Sequence, residues 1–200
     1  LPVLEALSAF GDCTNLEKPG SDAGLFCFSI IKAREDSQMT IRKLRTFPFL
    51  PKSNAHLMPG DFWSFQFGND RYAAGRVVEL PWQHQDGSDR RTFLAGLMDW
   101  SGHVRAVPDD LANRKMLDQG RMHVRAFSFS DWKVEGNRDL NSDYLEPWLF
   151  KTATYTQFVR KGLGAERLGT KDELRTCSVR GAWGMTFIVE LAKMHFKGSD

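Results

Sequence analysis

The sequence has few cysteines and no long apolar segment. The three cysteines, Cys13, Cys27 and Cys177, are widely spaced, and an odd, scattered set favours free thiols in a reducing compartment. The apolar runs 25–31 and 185–191 are far shorter than the roughly 20 residues that a helix needs to cross a bilayer. The first ten residues contain no Lys or Arg, unlike a secretory signal. We therefore expect a cytoplasmic protein without a membrane partner.

An excess of charge of either sign is also missing. The chain of 200 residues carries 27 basic and 25 acidic residues, a net charge of +2. This surplus is too small for binding nucleic acid by bulk charge, so we expect no nucleic-acid partner. Hydrophobic residues make up 42% and charged residues 26%, as in ordinary globular proteins. A chain of this length can bury a core without metals or disulfides.

Signatures of catalysis and of metal or cofactor binding are not found in the sequence. The histidines stand far from one another and no cysteine lies near another, whereas zinc ligands usually occur in closely spaced pairs. The nucleophile elbow, the zinc-protease motif and the phosphate loop are all missing. Residues 162–169, GLGAERLG, have Arg167 where a dinucleotide fingerprint needs its third glycine. We expect a glycine turn there, no cofactor, no metal and no enzymatic activity.

The clearest pattern in the sequence predicts a β-hairpin. Residues 61–67 alternate between two faces, with Phe62 on one face and Trp63 on the other. A turn cluster at 68–70 separates this run from a second extended run at 71–80. Gly75 within the second run predicts a bulge or a sharp bend.

The remaining elements place the hairpin in a mixed fold. We predict further strands at 25–31, 39–44, 92–100 and 121–132, and helices at 109–119 and around residues 187–195. Thr170 and Glu173 form a predicted capping box, and a strand at 185–189 is the alternative to the terminal helix. These elements indicate an α+β fold with a small, strongly bent antiparallel sheet or half-barrel, a short inserted helix and a C-terminal helix.

A proline-bounded stretch suggests a division of the chain. Residues 46–60 contain several prolines and are predicted to be an extended linker. We therefore expect residues 1–56 to form an N-terminal arm with a hairpin and this linker. Residues 57–200 are then the α+β domain.

Two segments of the domain resemble the Immunity protein 26 family, whose members are antidotes encoded beside bacterial polymorphic toxins. The first segment, residues 58–77, has a Gly-Asp-x-Phe strand, a short turn and a Tyr-x-x-Gly-Arg-Val strand. The second, residues 130–137, is similar to the family's Trp-x-x-x-Gly element. The motif residues are Gly60, Asp61, Phe62, Tyr72, Gly75 and Arg76, and we expect structural roles for them. The resemblance covers roughly residues 57–140.

The resemblance implies a protein that binds a cognate toxin and occludes its active surface. A basic nuclease toxin would favour an acidic patch on its antidote. The candidate partner-binding residues are Asp131, Trp132, Glu135, Asp139, Asp143, Glu146 and Trp148. A solvated acidic loop is an equally good interpretation of this segment.

Two other functions stay open at this point. Short Gly-Asp-x-Phe hairpins also open small-barrel endoribonuclease toxins of the MazF and PemK kind. Such an enzyme would use a basic groove and an acid–base pair such as His103 or His123 with Arg121. The other alternative is a generic protein-binding module.

Overall fold

The computed structural model describes residues 45–84, 89–130, 132–152 and 157–197. The predicted strands at 25–31 and 39–44, and with them most of the predicted arm, lie outside the described residues. All elements given below belong to one compact unit, Phe47–Asp200.

Nine strands and three α-helices are found in the described residues. The strands are β1 (Asp61–Gly68), β2 (Arg71–Glu79), β3 (Thr92–Gly102), β4 (Met116–His123), β5 (Gly136–Asn137), β6 (Leu149–Lys151), β7 (Phe158–Lys161), β8 (Glu166–Leu168) and β9 (Gly181–Trp183). The helices are α1 (Arg125–Ser130), α2 (Lys171–Thr176) and α3 (Met185–His195). The longest of them, α3, has 11 residues, and in the described part of the chain no helix has the length and apolar character to span a bilayer.

The strands form two sheets. The larger sheet has the order β5-β1-β2-β3-β4-β9, and all its neighbours are antiparallel except the β4–β9 pair. The smaller sheet, β6-β7-β8, is antiparallel. The larger sheet is open, with β5 and β9 as its edges. This architecture confirms the predicted α+β class with a C-terminal helix.

Irregular pairing bends the larger sheet. The register shifts once between β1 and β2, twice between β2 and β3, and once between β3 and β4. Each such irregularity increases the local twist of a sheet. One shift falls between Ala73 and Gly75, so the bulge predicted at Gly75 is confirmed.

The larger sheet is covered on both faces. On one face, Trp63 of β1 lies in an apolar cluster with Phe127 of α1 and Ile188 of α3. The rings of Trp63 and Phe127 are 5.1 Å apart, edge to face. On the other face, Phe62 belongs to a second cluster with Phe150 of β6. The predicted alternation of β1 is therefore confirmed, and the smaller sheet lies on the Phe62 side.

The predicted helix at 109–119 is wrong, and the predicted strand at 121–132 is correct only for residues 121–123. Only a short 3-10 turn, Pro108–Leu111, forms in the first segment. Asn113 then takes a positive φ of 56°, which ends the turn, and β4 begins at Met116. β4 stops at His123, whose Nδ1 accepts a hydrogen bond from the N–H of Arg125 at 3.0 Å where α1 begins. The inserted helix of the fold is therefore α1.

The C-terminal predictions agree with the structure. Thr170 Oγ1 accepts a hydrogen bond from the N–H of Glu173 at 3.3 Å, and Glu173 Oε2 accepts one from the N–H of Thr170 at 2.9 Å. This is the predicted capping box of α2. Residues 185–189 are helical, not a strand. The turn at Gly162 and Gly164 joins β7 to β8, as expected for a glycine turn between two elements.

Residues 46–60 run across the domain. Phe49 forms an isolated bridge with Val134, with hydrogen bonds of 3.0 and 2.9 Å. Leu57 is buried in the core. This stretch therefore contributes to the packing of the described unit.

Candidate functional site

The two motif glycines leave no room for a side chain. Gly60 has a φ of +88°, and a Cβ there would lie 2.2 Å from the carbonyl oxygen of Arg138. A Cβ on Gly75 would lie 2.2 Å from the indole ring of Trp63. Both glycines thus have the structural role expected of them, because another group packs directly against each Cα.

Asp61 and Phe62 connect the hairpin to the second motif segment. Asp61 Oδ2 accepts a hydrogen bond from the N–H of Met58 at 2.8 Å, which caps the turn as expected. Its Oδ1 accepts another from Asn137 Nδ2 at 2.8 Å. The Phe62 ring packs over Gly136, where a Cβ would come within 2.6 Å of it. The two segments that carry the family resemblance are therefore in direct contact.

Arg76 and Asp143 form a fully buried ion pair. Arg76 Nη1 donates to Asp143 Oδ2 at 2.8 Å, and both side chains have no exposed area. Arg76 Nη2 donates to the backbone oxygens of Arg138 and Asp139. Asp143 also accepts from Arg138 Nε at 2.9 Å and from the N–H of Asn113 at 2.9 Å. Arg76 therefore fixes the loop that follows β5.

The ionisation of this pair follows from its partners. Burial alone would raise the pKa of Asp143, but hydrogen bonds from Arg138, from a backbone N–H and from Arg76 outweigh it and lower this pKa to about 2. Burial lowers the pKa of Arg76, and the carboxylate of Asp143 opposes this shift. The pair is charged at neutral pH and has a structural role.

The structure does not gather the predicted partner residues on one surface. Trp132 is 7% exposed and its ring lies 5.2 Å from that of Phe65. Because Trp132 and Asp143 are both buried, a partner cannot reach them. Asp139 and Trp148 are half-buried, and Asp131 lies outside the described residues.

Two predicted acidic residues have cationic partners. Glu146 is exposed and forms an ion pair with Lys161 at 2.6 Å. Glu135, whose side chain is 11% exposed, forms an ion pair with Arg105. These two carboxylates therefore do not add free negative charge to the surface.

Glu135 lines an open groove with a volume of about 560 Å³. The lining residues are Phe47, Pro48, Arg105, Ala106, Val107, Lys133 and Glu135. Val107 is 54% exposed and Lys133 is exposed. The groove thus combines an apolar wall with two cationic side chains and one carboxylate. Sequence reasoning singled out only Glu135 among these residues.

Buried polar contacts hold the charged side of this groove in place. Glu135 Oε2 accepts hydrogen bonds from the N–H of Ser64 at 2.9 Å and from its hydroxyl at 2.5 Å. The Ser64 hydroxyl in turn accepts one from the N–H of Ala106 at 2.9 Å. The guanidinium of Arg105 lies over the ring of Tyr72, 5.6 Å from its centroid. Ser64 and Tyr72 of the hairpin therefore position the two charges.

Of the residues in the ribonuclease alternative, His123 and Arg121 lie two residues apart on β4 but each has another partner, and His103 follows the far end of β3. His123 Nδ1 accepts the N–H of Arg125, and Arg121 forms an ion pair with Asp89. His103 follows the end of β3 remote from Arg121, because Arg121 pairs with Leu94 near the start of that strand. The structure instead pairs His84 Nε2 with Glu79 Oε1 at 2.7 Å. No pattern in the sequence indicates this pair.

Within the described residues, no group of three or more His, Cys, Asp or Glu side chains is arranged to hold a metal ion. Comparisons of the chain with protein-family models, with curated proteins and with solved structures find no match.

Proposed function

We propose that this chain is an immunity protein, a cytoplasmic binding protein that neutralises a bacterial toxin by covering its active surface. The observation that carries the proposal is the groove around Glu135, whose charged residues are fixed by the motif hairpin. The resemblance of residues 58–77 and 130–137 to the Immunity protein 26 family supports the toxin as the partner.

A recognition surface benefits from side chains that are ordered before binding. Immobilising a long charged side chain on association costs roughly 0.5–1.5 kcal/mol. Glu135 and Arg105 are already held by Ser64, by Tyr72 and by each other. This cost is therefore met during folding, and the groove offers oriented charges beside the apolar wall of Val107.

The test is a growth assay in bacteria that express the product of the neighbouring gene as the candidate toxin. Wild-type chain should restore growth and bind this protein in isothermal titration calorimetry. Lys133→Glu and Val107→Asp change exposed groove residues, and each should weaken binding by about tenfold or more. Both variants should lose rescue and keep the wild-type melting temperature.

Lys171→Glu is the matched control. Lys171 is exposed in the first turn of α2, where a negative charge is compatible with the helix dipole. This variant should rescue growth like the wild type. Equal rescue by the groove variants would remove the groove from the proposal. Growth arrest by this chain alone would contradict the antidote role and favour the toxin alternative.

A further inference from the structure

The groove around Glu135 is bordered by two chain segments that backbone hydrogen bonds hold together. Residues 47–48 line it from one segment. The next residue, Phe49, exchanges hydrogen bonds of 3.0 and 2.9 Å with Val134, in the segment that carries Glu135. The apolar and the charged parts of the groove are therefore fixed relative to each other.

Lys133 and Glu135 enter the groove from the same face of their segment. Trp132 and Val134 are buried, whereas Lys133 is exposed and Glu135 is half-buried. This alternation is typical of an extended chain, in which every second side chain points to the same side. Both charged residues line the groove, so a bound ligand meets them together.

The accessible charge of the groove is positive. The side chain of Arg105 is 53% exposed and that of Glu135 is 11% exposed. Glu135 is also engaged on both oxygens, by Arg105 on Oε1 and by the N–H and the hydroxyl of Ser64 on Oε2. Lys133 is exposed and forms no ion pair with another residue that the structure describes. The nearby Asp110 is not part of the lining, and its Oδ2 accepts the N–H of Val107.

Apolar side chains border these cations. Val107 is 54% exposed and Pro48 is exposed, and both line the groove. Small ligands usually bind in clefts that bury most of their surface, and an open groove with exposed walls does not provide this. An apolar surface beside charged groups is typical of a contact with another protein. A complementary ligand is therefore a protein segment with an apolar part and a negative charge.

We propose that the groove around Glu135 binds an acidic segment of the partner protein, with carboxylates on Arg105 and Lys133 and an apolar side chain against Val107. Carboxylates match the guanidinium and ammonium donors of these two residues. The inference rests on the proposed function, because the same groove is the contact surface there, and it adds the chemistry of the partner. A basic nuclease would favour an acidic patch on its antidote, whereas this cationic groove favours an acidic surface on the toxin.

The experiment selects peptides from a display library of random short sequences on the immobilised full chain. Peptides bound by the wild type should be enriched in Asp or Glu next to apolar residues, because such sequences match both parts of the groove. Selection on Lys133→Glu should lose the acidic residues, and selection on Val107→Asp should lose the apolar ones. Lys171→Glu, an exposed charge reversal on α2, is the control and should select the same sequences as the wild type.

A synthetic copy of one selected acidic peptide is then titrated into each protein by isothermal titration calorimetry. Lys133→Glu should weaken its binding by about tenfold or more, and added salt should weaken its binding to the wild type. N-acetylglutamate should bind far more weakly than the peptide. Equal affinity for this free acid would identify a small molecule as the ligand and overturn the proposal.

The outcomes separate this inference from the proposed function. Selection of basic peptides, selection of none, or equal affinity of Lys133→Glu for the acidic peptide overturns the partner chemistry, even if the groove variants lose rescue of growth. Self-association of the wild type that Lys133→Glu abolishes would identify a second copy as the ligand and also overturn it. Acidic selection that depends on Lys133, together with full rescue by the groove variants, would support the partner chemistry and contradict the toxin as partner.

Discussion

Replacement of Asp143 by Asn tests the buried charge network most directly. The Asp143 side chain is fully buried and accepts hydrogen bonds from Arg76 and Arg138. Asn preserves its shape and removes its negative charge. Arg76, which is also fully buried, would then have only neutral acceptors, the amide oxygen of the new side chain and two backbone carbonyls. The variant therefore leaves an uncompensated cation inside the protein.

The structure sets the size of the expected effect. Removing one partner of a buried ion pair costs about 3–5 kcal/mol. The lowering of the Asp143 pKa from 3.8 to about 2 accounts for about 2–3 kcal/mol of this, at roughly 1.4 kcal/mol per pKa unit. The rest is the penalty of the unpaired Arg76. At roughly 2–4 °C per kcal/mol for a chain of this size, the melting temperature should fall by roughly 6–20 °C.

Thermal unfolding at several pH values is the assay. The pKa of Asp143 is lower in the folded than in the unfolded chain, so its contribution is complete above the unfolded value of 3.8 and is lost as the pH falls towards about 2. The difference in melting temperature between wild type and Asp143→Asn should therefore shrink over this range. Asp172→Asn, which removes an exposed ion-pair partner, should change stability much less. A melting temperature within about 2 °C of the wild type for Asp143→Asn would refute the reasoning.

Two further predictions concern the hairpin and α2. Gly75→Ala places a Cβ against the Trp63 indole and should lower the free energy of unfolding in urea by about 1–3 kcal/mol. Its control is Gly68→Ala, where no atom lies within 4 Å of the added Cβ. Equal losses of stability at both sites would contradict this explanation. Thr170→Ala removes the hydroxyl that accepts the N–H of Glu173 and should lower stability by about 1 kcal/mol in thermal unfolding. An unchanged melting temperature would show that the cap does not contribute.

The hairpin was predictable because local chemistry determines it. Strict alternation in 61–67 and a glycine-containing turn at 68–70 restrict the chain to one pairing. The α2 cap is likewise a local pattern, in which Thr170 and Glu173 satisfy each other's backbone N–H groups. Such features need no knowledge of distant residues.

The secondary structure was predicted wrongly where contacts with distant residues determine whether a segment forms a helix or a strand. Alternation in 121–132 is compatible with a strand, but Phe127 is buried and Phe129 is 75% exposed. In a strand, Phe127 and Phe129 would lie on the same face, whereas in α1 one is buried and the other is exposed. At this change the His123 ring accepts a hydrogen bond from the N–H of Arg125, the first residue of the helix. No periodicity in the sequence reports a side-chain cap of this kind.

Charge counting along the acidic segment does not separate buried from exposed carboxylates, for a related physical reason. A carboxylate next to a buried arginine is indistinguishable, in sequence, from one on the surface. Asp143 meets Arg76, 67 residues earlier in the chain, and Glu135 meets Ser64, 71 residues earlier. Only the fold brings these residues together. Counting charges along the sequence therefore put buried and exposed acidic residues in one predicted patch.

The same long-range contacts explain why the two motif segments occur together. Gly60 touches the backbone of Arg138, which follows β5, and Asp61 accepts a hydrogen bond from the Asn137 side chain of β5. Arg76 anchors the loop beyond this strand. Ser64, between them in sequence, holds Glu135 at the start of the same segment. These contacts together hold the segment that carries Lys133 and Glu135, two of the residues that line the groove. The motif residues therefore shape this groove through their packing without lining it themselves.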